Sequence, residues 1–184
     1  MSEKVPAEIS VQLSQALNVI GRHLESTLLA VHLYGSALDG GLKPYSDIDL
    51  LVAVAAPLND AVRQALLVDL LEVSASPGQN KALRALEVTI VVRSDIVPWR
   101  YPARRELQFG EWQRKDILAG IFEPATTDSD LAILLRKVFK TLPPWSVTGR
   151  AWPDNTAMKQ QDLGLNLSKR RTRKAVFLDE MNLV

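Results

Sequence analysis

Two aspartates one residue apart, Asp47 and Asp49, open an apolar run that ends at Val54, and they follow the pair Gly35-Ser36 across a short loop. Alternate side chains of a strand leave on the same face, with α-carbons about 7 Å apart, so both carboxylates converge on one region while Ile48 and Leu50 turn away. Two such charges repel and take up a proton unless a cation lies between them. In a chain with no cysteine, oxygen-only ligands favour Mg²⁺. Glu87 stands among apolar residues at the start of "EVTIVV", and it adds a third carboxylate if that segment lies beside the first. Three acidic groups about a divalent ion, with a glycine-serine turn alongside, suit the triphosphate of a nucleotide. Gly35 lets backbone approach phosphate closely, and Ser36 offers a hydroxyl and an amide donor. The ion would bridge phosphate oxygens during an in-line displacement.

Taken singly these features are ordinary: Asp-x-Asp is usually a solvated strand end, and Gly-Ser before a loop is commonplace. Their order and spacing together point to chemistry. His23 and His32 have no metal-ligand spacing and read as structural or surface residues.

The elements that must position these groups follow from periodicity. Ile9, Leu13, Leu17, Ile20 and Leu24 recur at helical spacing after Pro6. "LLAVHLYG" (28–35) and "DIDLLVAV" (47–54) read as neighbouring strands joined by a loop with Gly40, Gly41 and Pro44. Asn59 or Asp60 caps a second helix carrying Val62, Ala65, Leu66, Leu70 and Val73, which stops before Ser76-Pro77-Gly78. "ALEVTIVV" (85–92) makes a third strand. Beyond Pro98 and Pro102, "RRELQFGEWQRKDILAG" (104–120) reads as helical, with Gly110 a weak point and Gly120 its end. A capping residue at Thr127, Asp128 or Ser129 starts another helix. The order predicts an α/β (α+β) fold, a small mixed sheet flanked by helices.

A length of 184 residues allows one ordinary domain with an appendage, and 47% hydrophobic with 23% charged residues is a globular mix. Apolar runs fall short of the roughly 18 residues a membrane span needs, and the polar N-terminus has no secretory core, so a cytoplasmic protein without membrane partners is expected. The net charge of +1 hides an asymmetry: residues 1–135 carry 12 basic and 17 acidic side chains, whereas 136–184 carry 10 and 4. The acidic body suits a metal or cationic ligand. The basic tail is broken by prolines and has no sustained period. Its cluster Lys169, Arg170, Arg171, Arg173, Lys174 lacks interleaved aromatics, so nucleic acid is not expected as a partner.

Gly35-Ser36 followed by Asp47-Ile48-Asp49 resembles the signature of the polymerase-β-type nucleotidyltransferases. The longer text "LLAVHLYGSALDGGLKPYSDIDLLV", "EVTIVV" and "PWRYPARRELQFGEWQRKDILAGIFEPAT" is similar to the aminoglycoside 3''-adenylyltransferases that inactivate streptomycin and spectinomycin. The resemblance implies a nucleotidyltransferase fold over residues 1–136 and Mg²⁺-dependent transfer of AMP from ATP to an antibiotic hydroxyl. By the same resemblance, Asp47, Asp49 and Glu87 hold Mg²⁺ and Glu87 is the base. Gly35, Ser36, Ser46 and Asp130 contact ATP, and Trp112 stacks on the drug. Family members continue into a helical C-terminal domain that completes the drug site. Residues 137–184 depart from it and are expected to form a poorly ordered tail. A chain of this kind is expected to bind Mg-ATP with weak or absent drug modification, and to self-associate through the uncovered face. A minimal nucleotidyltransferase that modifies a partner protein is the alternative.

Overall fold

The computed structural model describes residues 5–37, 41–80, 82–98, 100–141 and 175–177. Helix α1 (Ala7–Leu24) buries Ile9, Leu13, Ala16, Ile20 and Leu24, one apolar stripe at the expected spacing. Strand β1 (Leu28–Tyr34) runs antiparallel to β2 (Ile48–Val54). Helix α2 (Asp60–Glu72) begins at Asn59, whose side chain accepts from the Val62 amide, and it returns the chain to β3 (Leu86–Val92), which lies parallel to β2. A parallel pair needs such a crossover, because no tight turn can join strands that point the same way.

The segment expected as one helix over 104–120 is divided otherwise. After the short helix α3 (Arg93–Ile96), strand β4 (Ala103–Arg105) leads to β5 (Leu107–Gly110), a 3₁₀ turn (Glu111–Gln113) and only then helix α4 (Arg114–Leu118). Leu107 and Phe109 are buried and Gln108 is less so, a period of two that fits a strand. The open edge of β3 supplies backbone partners for it from Glu87 to Ile90. Tertiary pairing thereby overrides local helical preference. Strand β6 (Thr126–Asp128) pairs with β4 in a separate two-stranded sheet and feeds α5 (Ser129–Thr141). Asp128 is the capping residue, its Oδ1 accepting from the Asp130 amide at 2.8 Å. Helix α5 thus runs past residue 136, and β7 (Ala175–Phe177) pairs with the outer edge of β1. The rest of the expected tail, 142–174 and 178–184, lies outside the described residues.

The main sheet has the order β5-β3-β2-β1-β7. One face, with Leu33, Leu50, Val52, Val88, Ile90 and Phe109, packs under α1 and α2. On the other, Ala30, Tyr34, Leu51, Ala53 and Val91 meet α3 and α5 through Ile96, Leu131 and Leu135. Burial on both faces explains why β2 is apolar almost throughout. Two polar devices tie the layers. Gln12 of α1 donates to the carbonyls of Val73 and Arg84 and accepts from the Arg84 amide, joining the helix to the segment before β3. Arg63 of α2 forms an ion pair with buried Glu106 at 2.6 Å and also donates to the Glu106 carbonyl.

Candidate active site

The strand register builds the site. Tyr34, Asp49, Glu87 and Gly110 lie opposite one another across β1, β2, β3 and β5 and form one row. Residues opposite each other in a sheet share a face, so Asp49 and Glu87 project together on the side that carries Tyr34 and Leu51. Gly35 follows β1 directly and opens a 3₁₀ turn (Gly35–Ala37) with φ +78°, and a β-carbon there would lie 1.8 Å from Asp49 Oδ2. The Asp49 carboxylate therefore sits directly against the Gly35-Ser36 turn, in space that only glycine leaves open. One step along the sheet, Gln108 Nε2 donates to Glu87 Oε1 at 3.1 Å.

Asp47 immediately precedes β2 and is half-buried. Burial, and then the nearby negative charge of Glu111, raise its pKa above the ordinary carboxylate value. Glu111 behaves oppositely: burial pushes it up, but hydrogen bonds from Arg114, Ser74 and Ser76 outweigh that and hold it below the usual range. Arg114 grips it as a fork, Nε to Oε2 at 2.7 Å and Nη2 to Oε1 at 2.8 Å, while Ser76 Oγ donates at 3.0 Å. The same Arg114 Nη2 donates to the carbonyls of Leu71 and Ser74, fixing the 3₁₀ turn to the end of α2.

The loop before Asp47 is held from below. Arg84 Nη1 donates to the carbonyls of Lys43, Pro44 and Ser46 at 2.7, 3.3 and 3.2 Å, and Ser46 Oγ accepts from the Lys43 amide at 3.0 Å. Trp112 is not part of a helix core: it rides on the 3₁₀ turn and is 60% exposed. Asp130 is exposed in the first turn of α5, on an element outside the carboxylate row. Gly35, Ser36, Asp49 and Glu87 are thus brought to one end of the central strands, with Asp47 beside them. Gln108, Glu111, Arg114 and Arg84 were not singled out from the sequence. The i,i+3 spacing of Glu111 and Arg114 was legible as a pair, whereas Gln108 was hidden by the helical reading.

Among the described residues no group of three or more His, Asp or Glu side chains closes into a metal cage. The carboxylates fit Mg²⁺ in a different manner. That ion is commonly held by one or two carboxylates together with substrate phosphates and water, and the in-register carboxylates of Asp49 and Glu87 provide such an open pair.

Strand β2, helix α2 and strand β3 form a βαβ crossover that presents paired carboxylates beside a glycine-serine turn. Residues 14–109 match the Nucleotidyltransferase domain family, and the chain belongs to that family. Over 137 residues it is 72% identical to an aminoglycoside (3'') (9) adenylyltransferase of Shigella flexneri, covering 74% of this chain and 52% of that protein. Over 140 residues it is 38% identical to a spectinomycin 9-adenylyltransferase of Staphylococcus aureus, covering 76% and 54%. The crystal structure of spectinomycin adenyltransferase from Enterococcus faecialis with ATP and spectinomycin is similar with a TM-score of 0.65 at 32% identity, over 68% of this chain and 51% of that one. The chain spans about half the length of these relatives. No described helix is long and apolar enough to cross a membrane.

Proposed function

We propose that this chain carries the donor half of an adenylyltransferase that moves AMP from ATP to a hydroxyl of an aminoglycoside or aminocyclitol antibiotic, such as streptomycin or spectinomycin, and so confers resistance in the cytoplasm. The observation that carries the reading is the register of Asp49 opposite Glu87 against the Gly35 turn. Similarity to adenylyltransferases, one solved with ATP and spectinomycin, supports it. Asp47, Asp49 and Glu87 would hold Mg²⁺, which supplies charge neutralisation for the triphosphate. Ser36, which follows Gly35, and Ser46, which precedes Asp47, would donate to phosphate oxygens. Glu87, oriented by Gln108, would take the proton of the acceptor hydroxyl. The hydroxyl oxygen then bonds to the α-phosphorus, the bond to the β-phosphate oxygen breaks, and pyrophosphate leaves.

The resemblance assigns part of the drug wall to a helical C-terminal domain of the family, and the match covers 52% of the Shigella flexneri relative. Mg-ATP binding is the behaviour this reading requires of the 184-residue chain. The test is pyrophosphate release from Mg-ATP with each drug, in the native chain and in Glu87→Gln. A drug-dependent signal lost in Glu87→Gln supports the reading. Release that survives Glu87→Gln refutes the base assignment, and absence of Mg-ATP binding refutes the donor site.

A further inference from the structure

We infer that Gly110 is a positioning residue that seats the Trp112 ring beside Glu87 and thereby sets how an acceptor approaches the base. The inference rests on the transferase reading for its consequence, but its geometry stands apart. Gly110 has φ −163° and ψ 157°, extended backbone that any residue adopts, so its conformation does not call for glycine. What excludes a side chain is the indole. A β-carbon on Gly110 would lie 2.2 Å from both Cη2 and Cζ3 of Trp112 and 2.5 Å from Cε3. The six-membered part of the ring therefore occupies the volume where residue 110 would carry its own side chain.

That volume has a defined place. Gly110 is the direct partner of Glu87 in the antiparallel β3–β5 ladder, so a side chain on it would leave on the same face as the Glu87 carboxylate. The Trp112 ring takes over this position and extends the row Tyr34, Asp49, Glu87 at its β5 end. The turn that carries the ring is anchored independently, by the Arg114 fork on Glu111 and by Arg114 to the end of α2. One face of the indole is thus spent on the glycine backbone, while the residue remains 60% exposed. The exposed aromatic surface next to a base and several carboxylates fits a polyhydroxylated, cationic ring. An acceptor stacked there has its hydroxyls held beside Glu87.

The clash in Gly110→Ala is with the far end of a side chain, so the fold can accommodate it by swinging the indole away. Four variants of the full chain test this: Gly110→Ala, Trp112→Ala, Trp112→Phe and the double Gly110→Ala/Trp112→Ala. The Trp112 signal is isolated as the fluorescence difference from Trp112→Phe. In Gly110→Ala we expect acrylamide quenching of Trp112 to rise about two-fold as its sheltered face opens, with Mg-ATP affinity unchanged. The drug KM is expected to rise about three- to ten-fold, the range for losing one cation–aromatic contact, with kcat less affected. In the Trp112→Ala background, Gly110→Ala should change neither the melting temperature nor the drug KM further, because the obstructing ring is gone. Unchanged Trp112 quenching in Gly110→Ala, or an equal cost of Gly110→Ala with and without the indole, overturns the seat. If the chain transfers AMP to neither drug, the quenching and melting results still decide the role of Gly110, while the acceptor assignment fails separately.

Discussion

Gly35→Ala tests whether the Asp49 carboxylate truly lies against the turn that ends β1. Two costs add. At φ +78° a β-carbon costs about 1–2 kcal/mol from its clash with the following carbonyl. The new methyl also meets Asp49 Oδ2 at 1.8 Å, Cγ at 2.7 Å and Cβ at 3.2 Å. Rotation of the carboxylate relieves the first two contacts but not the third, which moves only with the β2 backbone. Overpacking at a buried position costs about 1–3 kcal/mol more, for a total of about 2–5 kcal/mol. That is a large part of the roughly 5–15 kcal/mol that holds an ordinary domain together. Urea unfolding followed by far-UV circular dichroism measures it in four chains: native, Gly35→Ala, Asp49→Ala and the double variant. In the Asp49→Ala background Oδ2 and Cγ are gone and only the 3.2 Å contact with Cβ remains, so Gly35→Ala should cost less than in the native chain, about 1–3 kcal/mol. A fluorescent ATP analogue with Mg²⁺ should bind Gly35→Ala more weakly, because the displaced carboxylate no longer meets the phosphates. Equal costs of Gly35→Ala in both backgrounds would refute the contact on which the donor site depends.

His32 is buried in β1, and desolvation lowers its pKa from 6.5 to about 4. The unfolded chain therefore binds the proton first: stability is complete above pH 6.5 and falls by about 3 kcal/mol as pH drops to 4, a slope that His32→Leu should remove from the pH dependence of the urea midpoint. Arg63→Met strands Glu106, which is 1% exposed, with only Arg104 at 3.9 Å in ion-pair reach among the described residues, and should cost about 3–5 kcal/mol in the same assay. Arg63→Met/Glu106→Gln should recover part of that loss, and failure to do so would mean the charge is not the cause. Gln108→Leu removes the donor that orients Glu87 and should slow pyrophosphate release several-fold at unchanged ATP affinity; an equal loss of ATP binding would assign Gln108 to the fold instead. Asp49→Asn should lose most of the rise in melting temperature that Mg-ATP gives the native chain, read by differential scanning fluorimetry.

The sequence exposes the chemistry of the site better than its assembly, for a physical reason. Strand alternation is a rule over two residues, so 47–54 by itself predicts that Asp47 and Asp49 share a side, although β2 begins only at Ile48. Helix α1 and the Asn59 cap are equally local and appear where periodicity and capping chemistry put them. Register is different: nothing within 47–54 or 85–92 encodes that Asp49 faces Glu87, since that depends on the length and seating of α2 between them. The segment 104–120 shows how far this reaches. Phe109 and Trp112 stand three apart as on a helix, while Leu107 and Phe109 alternate as on a strand, and only the vacant edge of β3 decides between the two readings. Once that edge is filled, Gln108 points at Glu87 and Glu111 turns toward Asp47. Gly110 changes its meaning for the same reason. In a helix it is a weak point, whereas opposite Glu87 it is a gap with an indole in it. Trp112 could be named from sequence because a residue type carries its own chemistry. The residue that makes room for it could not, because a glycine has no meaning until its neighbours across the sheet are known.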